Sequence, residues 1–265
     1  MKYINLLFIA LLSGLLISCS EDILDEINKN PNASTDVPIS LLLPQVTVST
    51  VHGVAGDGGG EYACFFVEHT TNVHLNPRMP FNVNDNVWGS TYYTLKDLNT
   101  IIEKGSVGGN EEGQFHAVGI AKVLYAYTLS VGTDFFGEMP HSEANKGSEN
   151  RSPTFDNQET IYAFLQNLLD EAIVDLDKES IGDISRFDLI YEGDTEMWKK
   201  AAYGLKARFY NRLSNIQPEA SAQNVLDALA GTFESEDEGM IFDGYLSGNT
   251  NDNPWAGWQK SEQTY

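Results

Sequence analysis

The sequence predicts a mostly α-helical protein in which antiparallel helix pairs are connected by long irregular loops. Apolar residues recur at the spacing of one helix face in four long segments. Glycine, proline and asparagine cluster between these segments, for example at residues 76–86, 105–113 and 137–153. No segment shows the strong two-residue alternation that is typical of a half-buried strand.

The four long helices are predicted at residues 91–104, 113–131, 156–179 and 194–215. In the third, Asp156 is the expected N-cap, and Glu159 completes a pair that resembles a capping box. Segment 113–131 is apolar on most sides, so it is expected to form a central, buried helix. Segment 194–215 carries much of the scarce positive charge of the chain, and its Trp198 lies on the apolar stripe and is expected in the core.

Two shorter helices are predicted at residues 38–52 and 219–230. Small residues inside the long helices, such as Ala121 and Ala202, would allow close helix pairing. Such pairs suggest a stack similar to tetratricopeptide (TPR) repeats, although the sequence has no strict repeat of that length.

The N-terminus carries the features of a bacterial lipoprotein signal. Lys2 is followed by a short apolar run that ends in the sequence LISC at residues 16–19. Leucine at −3, a small residue at −1 and a cysteine at +1 form a lipobox, so Cys19 is the expected lipidation site. We interpret residues 1–18 as the signal peptide, 19–37 as a lipidated polar leader and 38–265 as the helical domain. An ordinary secretion signal or a membrane anchor is the alternative.

The composition excludes some partners. The 265-residue chain has a formal net charge of −22, which would repel the phosphates of nucleic acid and the surface of anionic lipid. This acidity is compatible with neutral ligands such as sugars or peptides, and it is equally compatible with a role in solubility alone.

No motif indicates a cofactor, a metal site or a catalytic centre. Cys64 is the only cysteine besides Cys19, and its apolar neighbours predict a buried, inert thiol. The five histidines lack the spacing of a zinc protease motif, and loop histidines that only form hydrogen bonds are the preferred interpretation. The glycine run at residues 56–60 lacks the lysine of a phosphate-binding loop. Pairs of carboxylates are too frequent in this chain to indicate a glycosidase.

Three sequence runs together carry a family resemblance. They are DFFGEMPHSEA at residues 134–144, PTFDNQETIYAFLQNLLDEAIVDL at 153–176 and YEGDTEMWKKAAYGLKARFYNRLS at 191–214. With the leader NKNPNASTDVPISLLLP at 28–44, they resemble the SusD/RagB family of nutrient-binding outer-membrane lipoproteins of Bacteroidetes. Members are typically close to twice this length, so the chain is interpreted as truncated at the C-terminus and as the N-terminal part of a SusD-like domain.

The resemblance implies a scaffold of four TPR-like helix pairs whose loops carry the ligand site. It implies capture of glycans, or in some members peptides, without catalysis, for a TonB-dependent SusC-like outer-membrane transporter. It also implies anchoring in the outer membrane by lipid and exposure at the cell surface. Family members carry an acidic export motif directly after the lipidated cysteine, and Ser20, Glu21 and Asp22 partly match that motif. A surface lipoprotein that hydrolyses glycans or peptides, and a scaffold or adhesin without a small ligand, are the alternatives.

The candidate ligand-binding residues are aromatic rings and amides in polar loops. Trp88 lies in the sequence NVNDNVWGS with Asn86, and Trp255 and Trp258 lie in GNTNDNPWAGW with Asn253. Flat rings can stack on the apolar face of a sugar, while asparagine both donates and accepts hydrogen bonds. The alternative for each ring is packing against the helical scaffold, which is the preferred interpretation for Tyr92.

Overall fold

The computed structural model describes residues 36–60, 63–64, 67, 69, 85–245 and 253. Six α-helices lie in these residues: α1 (Ile39–Val48), α2 (Asp85–Gly105), α3 (Phe115–Phe136), α4 (Gln158–Leu176), α5 (Thr195–Arg212) and α6 (Pro218–Leu229). A π-helical stretch, Ser49–Gly60, continues α1, and short 3₁₀ turns occupy Gly147–Glu149 and Glu236–Glu238. In the described part of the chain there is no strand, and the predicted helical fold class is confirmed.

Helix α3 is the centre of the domain. It packs against α2 on one side and α4 on the other, and α5 packs in turn against α4 and α6. Nearly every residue of α3 from Ala117 to Thr133 is buried, as its apolar composition predicts. A Cβ atom added at Gly119 would lie 2.6 Å from Cγ of Leu176. A glycine at this position therefore permits the close approach of α3 and α4.

The ends of α4, α5 and α6 lie within three residues of the predictions, whereas α2 begins six residues earlier and α3 ends five residues later than predicted. One helix cap also differs. The Asp194 side chain caps α5 by accepting hydrogen bonds from the backbone of Glu196 and Met197. The N-cap of α4 is Asn157, which accepts from the Thr160 backbone at 2.8 Å, so the assignment of Asp156 as N-cap was wrong. Asp156 instead accepts hydrogen bonds from the preceding loop, because an antiparallel bridge pairs its backbone with Met139.

The lysines of α3 and α5 form ion pairs with neighbouring helices. Lys122 on α3 lies 2.8 Å from both Glu171 and Asp175 on α4. On α5, Lys206 pairs with Asp170 of α4, and Lys199 pairs with Asp177 just after α4. Lys199 and Lys206, two of the positive charges that the sequence concentrates in α5, therefore connect this helix to α4 and the residue that follows it.

By length and composition alone, the helical stretch Ile39–Gly56 is long and apolar enough to cross a membrane. In the domain, however, Ile39, Leu43, Val46 and Val54 are fully buried, and α1 packs against α2. One face of this stretch is therefore buried in the domain, while Leu41 is 59% exposed. Cys64, expected to be buried, is instead partly exposed.

Candidate functional site

Four aromatic rings from three parts of the chain meet beside the first turns of α2. We call Trp88, Tyr92, Phe136 and Phe155 the aromatic cluster. The Trp88 ring centroid lies 5.0 Å from those of Tyr92 and Phe136, with an edge-on arrangement of 87° to Phe136. Phe155 lies 6.5 Å from Trp88 with nearly parallel ring planes, 28° apart. The cluster therefore combines partly buried rings with an outer ring that reaches solvent.

Helix α2 contributes the inner part of the cluster. Trp88 and Tyr92 are four residues apart, so they lie on the same face of the helix. The Tyr92 hydroxyl donates a 2.6 Å hydrogen bond to the Pro140 carbonyl, and burial raises the pKa of Tyr92 well above its ordinary value. The hydroxyl therefore stays protonated and ties α2 to the loop after α3.

Phe136 reaches the cluster because α3 is longer than the sequence predicted. The helix continues through the DFF sequence to Phe136 and ends at Gly137, whose φ of 73° favours glycine. Thr133 Oγ1 donates to the Gly137 carbonyl at 2.7 Å. This sharp end turns the chain back toward α2 and starts the loop that carries Phe155.

The loop between α3 and α4 is held by backbone and side-chain hydrogen bonds that join its two ends. Backbone hydrogen bonds of 3.1 and 3.2 Å join Met139 and Asp156 in both directions. The Asp156 carboxylate accepts from the backbone of His141 and Ser142, and from the Ser142 hydroxyl. The hydrogen bonds donated to Asp156 outweigh the effect of its burial, and its pKa is below the usual range. The segment that precedes α4 is therefore paired with the segment that follows α3.

The structure corrects the environment of Trp88. The sequence placed Trp88 in a loop before a helix, whereas α2 begins at Asp85 and includes it. The Trp88 ring is half-buried and packs against the hydrophobic core. Asn86 lies in the same first turn and is exposed.

Other predicted residues have different outcomes. Asn253 is exposed. Cys19, Trp255 and Trp258 lie outside the described residues, so their roles stay predictions. Trp198 is fully buried, and its expected core position is confirmed.

Sequence reasoning missed two members of the aromatic cluster. Phe136 and Phe155 belong to the runs DFFGEMPHSEA and PTFDNQETIYAFLQNLLDEAIVDL, which served only for the family resemblance. The available signal was an aromatic residue beside Gly137 in the first run, and one two residues after Pro153 and next to Asp156 in the second. Aromatic residues at the ends of helices and in turns would have deserved the same weight as the tryptophans in asparagine-rich loops.

Two cavities lie elsewhere on the domain. A groove of about 690 Å³ runs over α3 between α2 and α4, and it is lined by Ile102, Lys122, Tyr125, His141, Phe164 and Glu171. Burial raises the pKa of Tyr125 in this groove to about 12. A larger cavity of about 1070 Å³ lies between residues 185–192 and 237–244. Neither of these two cavities is lined by a member of the aromatic cluster.

Within the described ranges, no group of histidine, cysteine, aspartate or glutamate side chains is arranged to hold a metal ion. The chemistry that the aromatic cluster offers is therefore ring stacking with hydrogen bonding from neighbouring polar groups.

A family model described as "Starch-binding associating with outer membrane" matches residues 31–264. The chain therefore belongs to the SusD-like family. A search of curated protein sequences found no significant match.

Solved structures agree with this assignment. A SusD/RagB family protein from Bacteroides thetaiotaomicron is 33% identical, with a TM-score of 0.77, over 85% of this chain and 49% of that protein. A SusD homologue from Parabacteroides distasonis shares the fold at 18% identity and a TM-score of 0.68, over 86% of this chain and 46% of that one. A chitin-binding protein matches at 24% identity and a TM-score of 0.63, over 77% and 45%. The chain spans about half the length of these relatives.

Proposed function

We propose that this chain is part of a non-catalytic, cell-surface nutrient-binding lipoprotein that captures glycans for a TonB-dependent SusC-like transporter of the outer membrane. Family membership supports the general role, because the matching family is described as starch-binding and associated with the outer membrane. A relative that shares the fold is a chitin-binding protein, which is consistent with a carbohydrate ligand.

The observation that carries the proposal is the aromatic cluster at the start of α2. Trp88 and Phe155 present nearly parallel ring planes, and Phe155 is 62% exposed. The apolar face of a pyranose ring packs on such surfaces. The strongly acidic chain favours a neutral ligand over an anionic one.

The carboxylates beside Phe155 support binding without hydrolysis. A glycosidase of the usual kind needs one carboxylic acid with a raised pKa and one free carboxylate. Glu143 and Asp156 both accept hydrogen bonds from the backbone of the same loop, and both pKa values are lowered. These carboxylates are therefore occupied in holding the loop, and neither is kept protonated as a general acid would be.

Lipid anchoring through Cys19 would hold the domain at the membrane, and the polar leader would separate it from the surface. Two or more acyl chains give stable anchoring, whereas one is marginal. Assembly with a SusC-like barrel would then bring captured glycan to the transporter. Co-purification of a large TonB-dependent barrel with the tagged native lipoprotein would support this partnership, and its absence from the complex would contradict it.

The ligand experiment is affinity electrophoresis in gels that contain soluble starch or glycol chitin. We expect retardation of the wild-type protein, and a several-fold weaker interaction for Trp88→Ala, since a stacked ring contributes on the order of 1 kcal/mol beyond its buried area. Tyr93→Ala is the matched control, because Tyr93 is 76% exposed on the same helix and outside the aromatic cluster. Release of reducing ends by the purified protein would instead support the alternative function, a surface lipoprotein that hydrolyses glycans.

Because Trp88 also packs against the core, thermal unfolding must be measured beside binding. We expect Trp88→Ala to lower the stability modestly as well as the affinity. Lost stability with unchanged affinity would show that this ring is only part of the scaffold.

A further inference from the structure

Phe155 is a large apolar side chain that the fold leaves largely in solvent. Its side chain is 62% exposed, although burial of a phenylalanine would stabilise the fold. Thr154, directly before it, and Asn157, two residues after it, are exposed too, and Asp156 is partly exposed. The ring therefore contributes little to the core, and the structure around it fixes its position by other means.

A first contact holds the residue before Phe155. Glu143 Oε2 accepts hydrogen bonds from the backbone N–H and from the hydroxyl of Thr154, each at 3.0 Å. The same oxygen accepts from Asn150 Nδ2 at 3.3 Å. These bonds hold the pKa of Glu143 below its usual range, so the carboxylate stays charged at neutral pH. We call this set of bonds the Glu143 clamp.

A second contact holds the residue after Phe155. Asp156 Oδ2 accepts from the backbone N–H groups of His141 and Ser142 at 2.9 and 2.8 Å, and Oδ1 accepts from the Ser142 hydroxyl at 2.8 Å. The backbone of Asp156 is also paired with Met139. We call this set the Asp156 clamp.

The two clamps hold both neighbours of Phe155 to one short segment, residues 139–143. Charged acceptors make stronger hydrogen bonds than neutral ones, so an exposed part of the loop is held in one conformation. An exposed ring on a backbone that is held on both sides, next to a second, nearly parallel ring, offers a stacking surface. Fixing this backbone in advance removes part of the ordering entropy that a mobile loop would lose on binding.

We propose that Phe155 is a ligand-contacting residue that stacks on a pyranose ring of the bound glycan, and that the Glu143 and Asp156 clamps are positioning elements for it. This inference rests on the proposed glycan-binding function. It assigns the outer surface of the aromatic cluster to Phe155, with Trp88 behind it.

The test is isothermal titration of the purified protein with maltoheptaose and with chitohexaose. For the oligosaccharide that binds, we expect Phe155→Ala to weaken binding about fivefold. Phe155→Tyr, which keeps the ring, should stay within about twofold of wild type. Because Phe155 is mostly exposed, the thermal midpoint of all three proteins should be similar, which separates binding from folding.

A second pair of variants tests the Glu143 clamp. Glu143→Ala removes the acceptor for Thr154 and should weaken binding about threefold through a less favourable binding entropy, with little change in enthalpy. Glu149→Ala is the matched control, because it removes the same charge from an exposed position in the same loop and should leave the affinity unchanged.

The outcomes separate the inference from the function on which it rests. Wild-type binding with an unchanged affinity for Phe155→Ala would overturn the role of Phe155 and leave the glycan-binding function standing. Equal affinities for Glu143→Ala and Glu149→Ala would overturn the positioning role of the clamp. If the wild-type protein binds neither oligosaccharide, both the glycan-binding function and the inference are overturned. This holds whether or not the protein binds peptides of a casein digest.

Discussion

The indole Nε1 of Trp198 donates a 2.6 Å hydrogen bond to Oδ2 of Asp188, and both side chains are buried. Asp188 also accepts from the backbone N–H groups of Ile190 and Gly193, at 3.0 and 2.9 Å. One carboxylate thus joins the loop after α4 to the tryptophan in the first turn of α5. The buried charge is balanced by donors from both elements, which makes this loop a fixed part of the domain.

Replacing Asp188 with alanine should therefore destabilise the protein strongly. The change leaves the Trp198 indole and several backbone N–H groups buried without an acceptor, at an expected cost of about 3 kcal/mol or more in the free energy of unfolding. Urea unfolding followed by tryptophan fluorescence measures it. Asp183→Ala is the control in the same loop, since Asp183 is exposed and bonds only locally to Ser185. Similar losses in the two variants would contradict the role of Asp188.

Leu168→Asp should also be severely destabilising. Leu168 lies on the buried face of α4 and is 7% exposed, so the substitution places a carboxylate among apolar side chains. The expected cost is at least about 3 kcal/mol. Val174→Asp introduces the same charge on the same helix at a position that is 57% exposed, and it should cost less than about 1 kcal/mol. Circular dichroism at the helical band during thermal unfolding distinguishes the two.

The stability of the domain should fall in mild acid through His141. The His141 ring lies 4.2 Å from Phe164, and its Nδ1 is buried and has no hydrogen-bond partner among the described residues. Burial lowers the pKa of His141, with the Asp156 charge opposing the shift. A pKa that is lower in the folded state means that the unfolded chain takes up the proton first, so stability is lost as the pH falls below about 6.5.

His141→Phe removes this titration while keeping an aromatic ring against Phe164. The difference in unfolding free energy between pH 7.5 and pH 5 should therefore be smaller in the variant than in the wild type. Urea titrations at the two pH values measure it. An identical pH dependence in both proteins would show that His141 does not contribute.

Lipidation at Cys19 is a prediction of the sequence alone. Cys19→Ala should leave an unprocessed or soluble precursor, because the cysteine is the acceptor of the acyl groups. Membrane fractionation with acyl labelling is the measurement, and Cys64→Ala is the matched control that should be processed normally. Unchanged labelling of the Cys19→Ala variant would refute the lipobox interpretation.

Most of the fold could be predicted because its signals are local. The apolar stripes of α4 and α5 repeat every one or two helical turns, so sequence spacing alone indicates them. The predictions were wrong where a segment distant in sequence forms hydrogen bonds with a side chain that would otherwise act locally. Asp156 would suit the cap of α4, but the bridge with Met139 places its carboxylate against His141 and Ser142, and Asn157 takes the cap instead.

The candidate site could be predicted only in part. Trp88 and Asn86 were selected because rings and amides share one polar stretch, and that stretch proved to be the first turn of α2. Phe136 and Phe155 were not selected, because nothing in their own neighbourhoods shows that they meet Trp88. Their contact depends on where α3 ends and how the next loop returns.

The sequence by itself determined the helical class, the approximate helix positions, the expected lipid anchor and the family resemblance, since these depend on periodicity, caps and short motifs. Only the tertiary structure decided which rings form the aromatic cluster and which carboxylates hold Phe155. The physical reason is that these contacts join residues far apart in the chain. They exist only after α2, α3 and α4 have packed around their shared core and the loop after Gly137 has paired with the start of α4.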